Sequence, residues 1–296
     1  MIEISSMDEL LAICQEQQKS ISEIMLSIEA ENTGQDMAAI IEEMKKRLLT
    51  MKQAVDNGLA NDVIAPSGIS GDDTGKIAQY MAQGEALSGN IIGDAMTFSA
   101  AVSESNARMD VIVATPTAGA AGILPGVLCS LHKNKQLSLD ELTMGLFTAS
   151  MLGLIIANRS FISGSAGGCQ AEVGSATAMA AGTIVELNRG TPEQAINATA
   201  LALKSLLGLV CDPVAGLVEV PCIKRNVIGT SIAFSAADLS LAGVKSRIPC
   251  DEVIEAMYNI GKEMPRTLKE TSLGGLAATA TAQKVEDTLF KRWCNT

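Results

Sequence analysis

A chain of 296 residues that is 47% hydrophobic and only 19% charged can bury a large core, which excludes general disorder. Its net charge of -11 leaves no basic surface to follow a phosphate backbone or an anionic leaflet, so nucleic acid and membrane surfaces are not expected partners. Seven cysteines, an odd number without the close spacings of a secreted scaffold, predict a cytoplasmic, reducing compartment in which thiols stay free or hold metal.

The opening eleven residues already carry Glu3, Asp8 and Glu9, unlike a secretory leader. Ser6 and Glu9 fit a capping box, and Met7, Leu10, Leu11 and Cys14, then Ile21, Ile24, Met25 and Ile28, recur at helical spacing. From Asp36 onward Met37, Ile41, Met44, Leu48, Met51 and Val55 alternate steps of four and three, the seam of a heptad repeat. Residues 1–60 are therefore predicted to form an amphipathic helical N-terminal segment, its seam packed on its own domain or on a partner. Residues 57–75 are turn-rich and resemble a phosphate-binding loop only superficially. Gly71 and Gly75 have three residues between them rather than four, and Ile77 stands where Ser or Thr should meet magnesium. Ser67 and Ser70 remain candidates for a substrate-facing loop.

Between Val111 and Ala181 the only charged residues are Lys133, Lys135, Asp140, Glu141, Arg159 and Glu172, so this part is expected to be mostly interior. His132 falls in what reads as a charged connection with a surface role. The apolar run 142–157 is shorter than the roughly 18–20 residues that span a bilayer and reads as a buried core helix. Apart from Val111-Ile112-Val113 there is little of the β-branched alternation of strands, while Ala and Gly let helices approach closely. Residues 251–260 read as a helix stopped by Gly261. The expected fold is all-α: a single domain over 1–296, a helical bundle with Ala/Gly-rich helices buried among others.

Cys14, Cys129 and Cys250 read as small buried hydrophobes. Cys169, Cys211 and Cys222 instead lie in Gly- or Pro-bearing polar breaks, with Cys222 preceding Lys224-Arg225-Asn226. Their C-x41-C-x10-C spacing matches neither a zinc finger nor a ferredoxin, so buried thiols and metal ligands both stay open on spacing alone. If they hold a four-iron cluster, three thiolates leave one iron free to act as a Lewis acid. The segments 115–122 and 163–168 could present amides to a carboxylate, or could simply let helices pack closely.

Three stretches together, Thr-Pro-Thr-Ala-Gly-Ala-Ala-Gly at 115–122, Ser-Gly-Ser-Ala-Gly-Gly-Cys-Gln-Ala-Glu-Val-Gly at 163–174 and Cys-Asp-Pro-Val-Ala-Gly-Leu-Val-Glu-Val-Pro-Cys at 211–222, resemble the iron-sulfur L-serine dehydratases. Specifically, the chain is similar to the alpha subunit of the two-subunit type, over essentially its whole length. The resemblance implies a [4Fe-4S] cluster on Cys169, Cys211 and Cys222 in an all-helical catalytic domain, a separate beta subunit, and conversion of L-serine to pyruvate and ammonia. It also implies that Cys294, near the C-terminus, folds back as a fourth ligand when substrate is absent.

In such a scheme Thr115, Thr117, Gly119, Ser163 and Ser165, with Ser67 and Ser70, would fix the substrate's polar groups. Glu172, one helical turn after Cys169, is the candidate base, and Lys224 and Arg225 are candidates for orienting the carboxylate or for offsetting the negative charge of a cluster. No pyridoxal phosphate is called for, while a monovalent cation is a further candidate. The alternatives are a relative acting on L-cysteine or another β-substituted amino acid, and, in a different class, a structural or zinc-binding helical protein.

Overall fold

The computed structural model describes residues 4–60, 63–84 and 86–294, the last three of these by backbone only. Thirteen α-helices and four 3-10 turns carry the described residues, and the one trace of β structure among them is a single bridge between Cys211 and Lys269. The N-terminal segment forms α1 (Met7–Gln17), α2 (Ile21–Thr33) and α3 (Met37–Ala60), followed by α4 (Asp73–Ala82) and α5 (Gly89–Ala107). Next come α6 (Ile123–Lys135), α7 (Leu139–Arg159), the single turn α8 (Gly164–Gly167) and α9 (Cys169–Leu187). The series ends with α10 (Pro192–Lys204), α11 (Cys222–Leu241), α12 (Cys250–Glu263) and α13 (Ala280–Cys294).

Helix α9 is the axis of the bundle. Every residue from Cys169 to Val185 is buried, because α6, α7, α10 and α11 pack around it. Small residues make that possible: a Cβ on Gly182 would lie 2.4 Å from Leu152 Cδ1 and 2.7 Å from Thr199 Oγ1. Helix α7 is long and apolar enough to cross a membrane, yet 67% of that stretch is buried, against α9, α2 and α3.

Three outer helices begin on carboxylates supplied from far along the chain. Asp251 of α12 accepts the amides of Met7 and Asp8 at 3.0 and 3.1 Å, and Glu186 of α9 accepts those of Ile21 and Ser22 at 3.0 and 3.2 Å. Fully buried Glu104 of α5 accepts the amides of Asp73 and Thr74 at 2.8 and 3.3 Å. Each anion meets the positive end of a helix and fills otherwise orphaned donors, which offsets the cost of its burial.

Several sequence expectations shift in detail. The α3 seam packs within the chain: Leu48, Met51 and Val55 are buried while Met37 is exposed. Helix α3 runs on to Ala60 and α4 begins at Asp73, so the turn-rich stretch is shorter than the composition suggested. Val111-Ile112-Val113 is not a strand. His132 lies within the last turn of α6, its Nδ1 2.7 Å from the Leu137 carbonyl, where basic side chains suit the negative end of the helix. Helix α12 continues through Gly261, because that glycine faces the Phe161 ring and the backbone of Gly167, where a side chain would crowd. At α1 only half of the capping box forms: Ser6 Oγ accepts the Glu9 amide, while the Glu9 carboxylate accepts from Ser5.

Candidate active site and metal centre

Cys169 and Cys222 are the first residues of α9 and α11, and Cys211 sits in the bridge to the C-terminal stretch. Gly168, at φ 79°, makes the turn from α8 into α9 that an L side chain would strain. The Cys211 amide donates to the Leu268 carbonyl at 2.8 Å and its carbonyl accepts from the Glu270 amide at 2.7 Å. All three thiols are buried.

The sulfurs of Cys169 and Cys211 and a carboxylate oxygen of Glu172 lie within 4.8 Å of one another. Cys169 falls below the usual thiol range, chiefly because Cys211 donates to it and secondarily because Arg225 is near, with burial opposing both. Cys211 is held well above that range by donating to Cys169 and by burial. Burial, then the charges of Cys169 and Glu172, push Cys222 up to about 12. Burial also raises Glu172, against a bond that Thr117 donates to its Oε1.

The loop predicted to bind substrate comes to the same place. A Cβ on Gly119 would lie 2.6 Å from Glu172 Oε1, and one on Gly164 2.6 Å from Cys211 Sγ, so both segments close over the carboxylate and thiols only because they carry glycine. Asn226 of α11 stitches this loop down, donating to the carbonyls of Gly119 and Cys222 at 2.7 and 2.9 Å and accepting from the Gly122 amide at 3.0 Å. Three buried thiols without a histidine are a soft donor set of the kind iron-sulfur clusters take; Cys169 and Cys211 already meet, while Cys222 stands outside the group they form with Glu172.

Other sequence candidates sit differently. Ser163 and Ser165 share a hydroxyl contact of 3.3 Å at the mouth of α8, and Thr115 is half-buried on the loop that bears Thr117. Ser67 and Ser70 both donate to buried Glu219, on the loop between Cys211 and Cys222. Exposed Lys224 pairs with Asp73. Cys294 closes α13, and its side chain lies outside the described residues. Some of the amides expected to cradle a carboxylate have partners within the chain. Those of Ala120 and Ala121 return to their own loop, those of Ala166, Gly167 and Gly168 to α8, and that of Gln170 to the Leu209 carbonyl. Sequence reasoning gave no role to Asp212, Glu219 or Asn226, although polar residues between or just after two cysteines in an apolar region were a usable signal.

A model of the family described as serine dehydratase alpha chain matches residues 16–277. The chain belongs to that family. A probable L-serine dehydratase alpha chain of Bacillus subtilis (strain 168) is 50% identical over 95% of this chain and 94% of its own length. The L-serine dehydratase alpha chain of Peptoniphilus asaccharolyticus is 38% identical over 96% and 97%. The L-serine dehydratase of Helicobacter pylori (strain ATCC 700392 / 26695) is 36% identical over 94% of this chain but only 62% of its own length.

Proposed function

We infer that this chain is the catalytic subunit of an L-serine dehydratase, converting L-serine to pyruvate and ammonia, with Cys169, Cys211 and Cys222 holding a [4Fe-4S] cluster. The observation that carries the reading is the meeting of two thiols and the Glu172 carboxylate within 4.8 Å, in a member of the serine dehydratase alpha chain family.

When bound, the cluster supplies Lewis acidity that makes hydroxide a better leaving group. The chain's residues do the rest. Glu172 takes the Cα proton of L-serine; a carboxylate raised by burial is the stronger base, and Thr117 fixes which oxygen stays hydrogen-bonded while the other works. Thr117, Ser163 and Ser165 orient the substrate's polar groups, and the packed walls of α9 and α11 exclude bulk water. Loss of the proton and the β-hydroxide leaves aminoacrylate and water, and that water is returned when aminoacrylate hydrolyses to pyruvate and ammonia.

The Helicobacter relative extends well beyond the region this chain matches, and the Bacillus and Peptoniphilus relatives are named alpha chains, which supports a separate second chain as partner. Free thiols at an iron site favour the cytoplasm as its place. Cys294 as the resting fourth ligand is proposed on the resemblance alone.

The test is anaerobic reconstitution with iron and sulfide together with the second chain. A brown protein that forms pyruvate from L-serine supports the reading. A colourless protein overturns the cluster, and a brown one inactive on L-serine overturns the substrate.

A further inference from the structure

Arg225 begins one turn into α11, three residues after Cys222, and turns inward where neighbouring Lys224 turns out. Its side chain is only 17% exposed. Nη1 donates to the Val210 carbonyl at 2.7 Å and lies 3.5 Å from Cys169 Sγ, and Nη2 pairs with Asp212 Oδ1 at 2.9 Å. Asp212 is 3% exposed, and its Oδ2 accepts from the Leu276 amide at 2.7 Å, so the carboxylate is fixed from behind. One guanidinium therefore touches the residues on both sides of Cys211, reaches the sulfur of Cys169 and rides on the helix that Cys222 opens.

We propose that Arg225 is the positioning residue of this site: it ties the three cysteine segments together and donates a hydrogen bond to the Cys169 sulfur, setting how tightly a cluster is held and its reduction potential. The inference rests on the cluster reading above. Only a planar, forked donor can meet a carbonyl, a carboxylate and a sulfur at once, whereas a lysine ammonium brings the charge without the fork. Hydrogen bonds to cluster sulfurs tune potential, and partners that orient ligands are commonly worth about 10–100-fold in metal affinity.

The experiment compares wild type, Arg225→Lys, Arg225→Gln and Asp212→Asn, each reconstituted anaerobically as the full chain with its partner. Iron per chain, the rate of iron loss to a chelator and the cluster midpoint potential are measured, with the thermal midpoint of the iron-free protein as a check on folding. Arg225→Gln is expected to lose iron at least about tenfold faster and to shift the reduction equilibrium about tenfold toward the oxidised cluster, 59 mV for one electron. Arg225→Lys should lose iron nearly as fast with a smaller potential shift, and Asp212→Asn should fall between it and wild type. A folded Arg225→Gln protein matching wild type in both rate and potential overturns the proposal. So does an Arg225→Lys protein matching wild type in both, because charge alone would then suffice. If Arg225→Gln fails to fold, the lysine and asparagine variants decide on the same two readouts. A wild type that takes up no iron overturns the cluster reading itself and this proposal with it, an outcome separate from the others.

Discussion

The outer helices α1, α2 and α4 and the central helix α9 obey different rules. The outer ones are amphipathic or partly exposed, and each begins on a carboxylate borrowed from another helix. Helix α9 is buried on all sides, built from small residues, and has the Gln170 amide of its first turn filled by the Leu209 carbonyl of a loop. The shell is thus held by end-capping and one apolar stripe, while the centre depends on close approach. The reacting groups are placed at the end of the rigid centre, so changes there should act on chemistry and metal, and changes in the shell on stability.

The largest expected effect is at the thiols. Cys169→Ser, removing a soft ligand at the first residue of α9, should abolish bound iron and pyruvate formation together, read by iron analysis and turnover. Glu172→Gln comes next: iron should stay and kcat fall about 10²–10⁴-fold, the usual worth of a positioned base. Full activity in that variant would remove Glu172 from the mechanism. The same carboxyl gives a pH signature in the iron-free protein. Because its folded-state value is raised above its ordinary one, the folded chain holds the proton more tightly, and stability falls as pH rises above the ordinary carboxyl range. Denaturant titrations across pH should show that decline in wild type and a shallower one in Glu172→Gln.

What was legible follows the same division. The four-and-three steps from Met37 to Val55 located α3 because an exposed surface forces periodicity, and Glu172 was placed one turn from Cys169 because residues three apart share a helix face. Helix α9 itself has no polar face to betray it, and only its small residues and lack of charge pointed inward. Contacts between distant residues were not legible. Asp251 reaches the amide of Met7 across 244 positions and Arg225 reaches Cys169 across 56, and no local pattern encodes such a meeting. Gly261 misled for a related reason: as a stop signal it is local, but its role in α12 is set by Phe161 of another segment.

Two substitutions sharpen the contrast on stability. Gly182→Ala adds a methyl where Leu152 and Thr199 leave no room; the overpacking, partly offset by better helix propensity, should cost about 1–2 kcal/mol. Glu186→Gln keeps an acceptor at the start of α2 but removes the charge that complements the helix end, for about 1 kcal/mol. Both are read by denaturant midpoint, and equal kcat in the folded fraction of Glu186→Gln would confirm that the cap serves the fold and not the site.

The smallest effect belongs to the surface pair Lys245–Glu193, 2.5 Å apart with both side chains more than half exposed. Water screens the charges and two long side chains must be held still to make the contact, so Lys245→Ala should change stability by no more than about 0.5 kcal/mol. If it cost as much as Glu186→Gln, a carboxylate at a helix end and an ion pair in solvent would not differ in what they contribute. The more stabilising feature of the shell would then be its surface charges rather than its borrowed caps. A double-mutant cycle with Glu193→Ala separates the pair's own coupling from the other effects of losing either side chain, which would otherwise be counted with it.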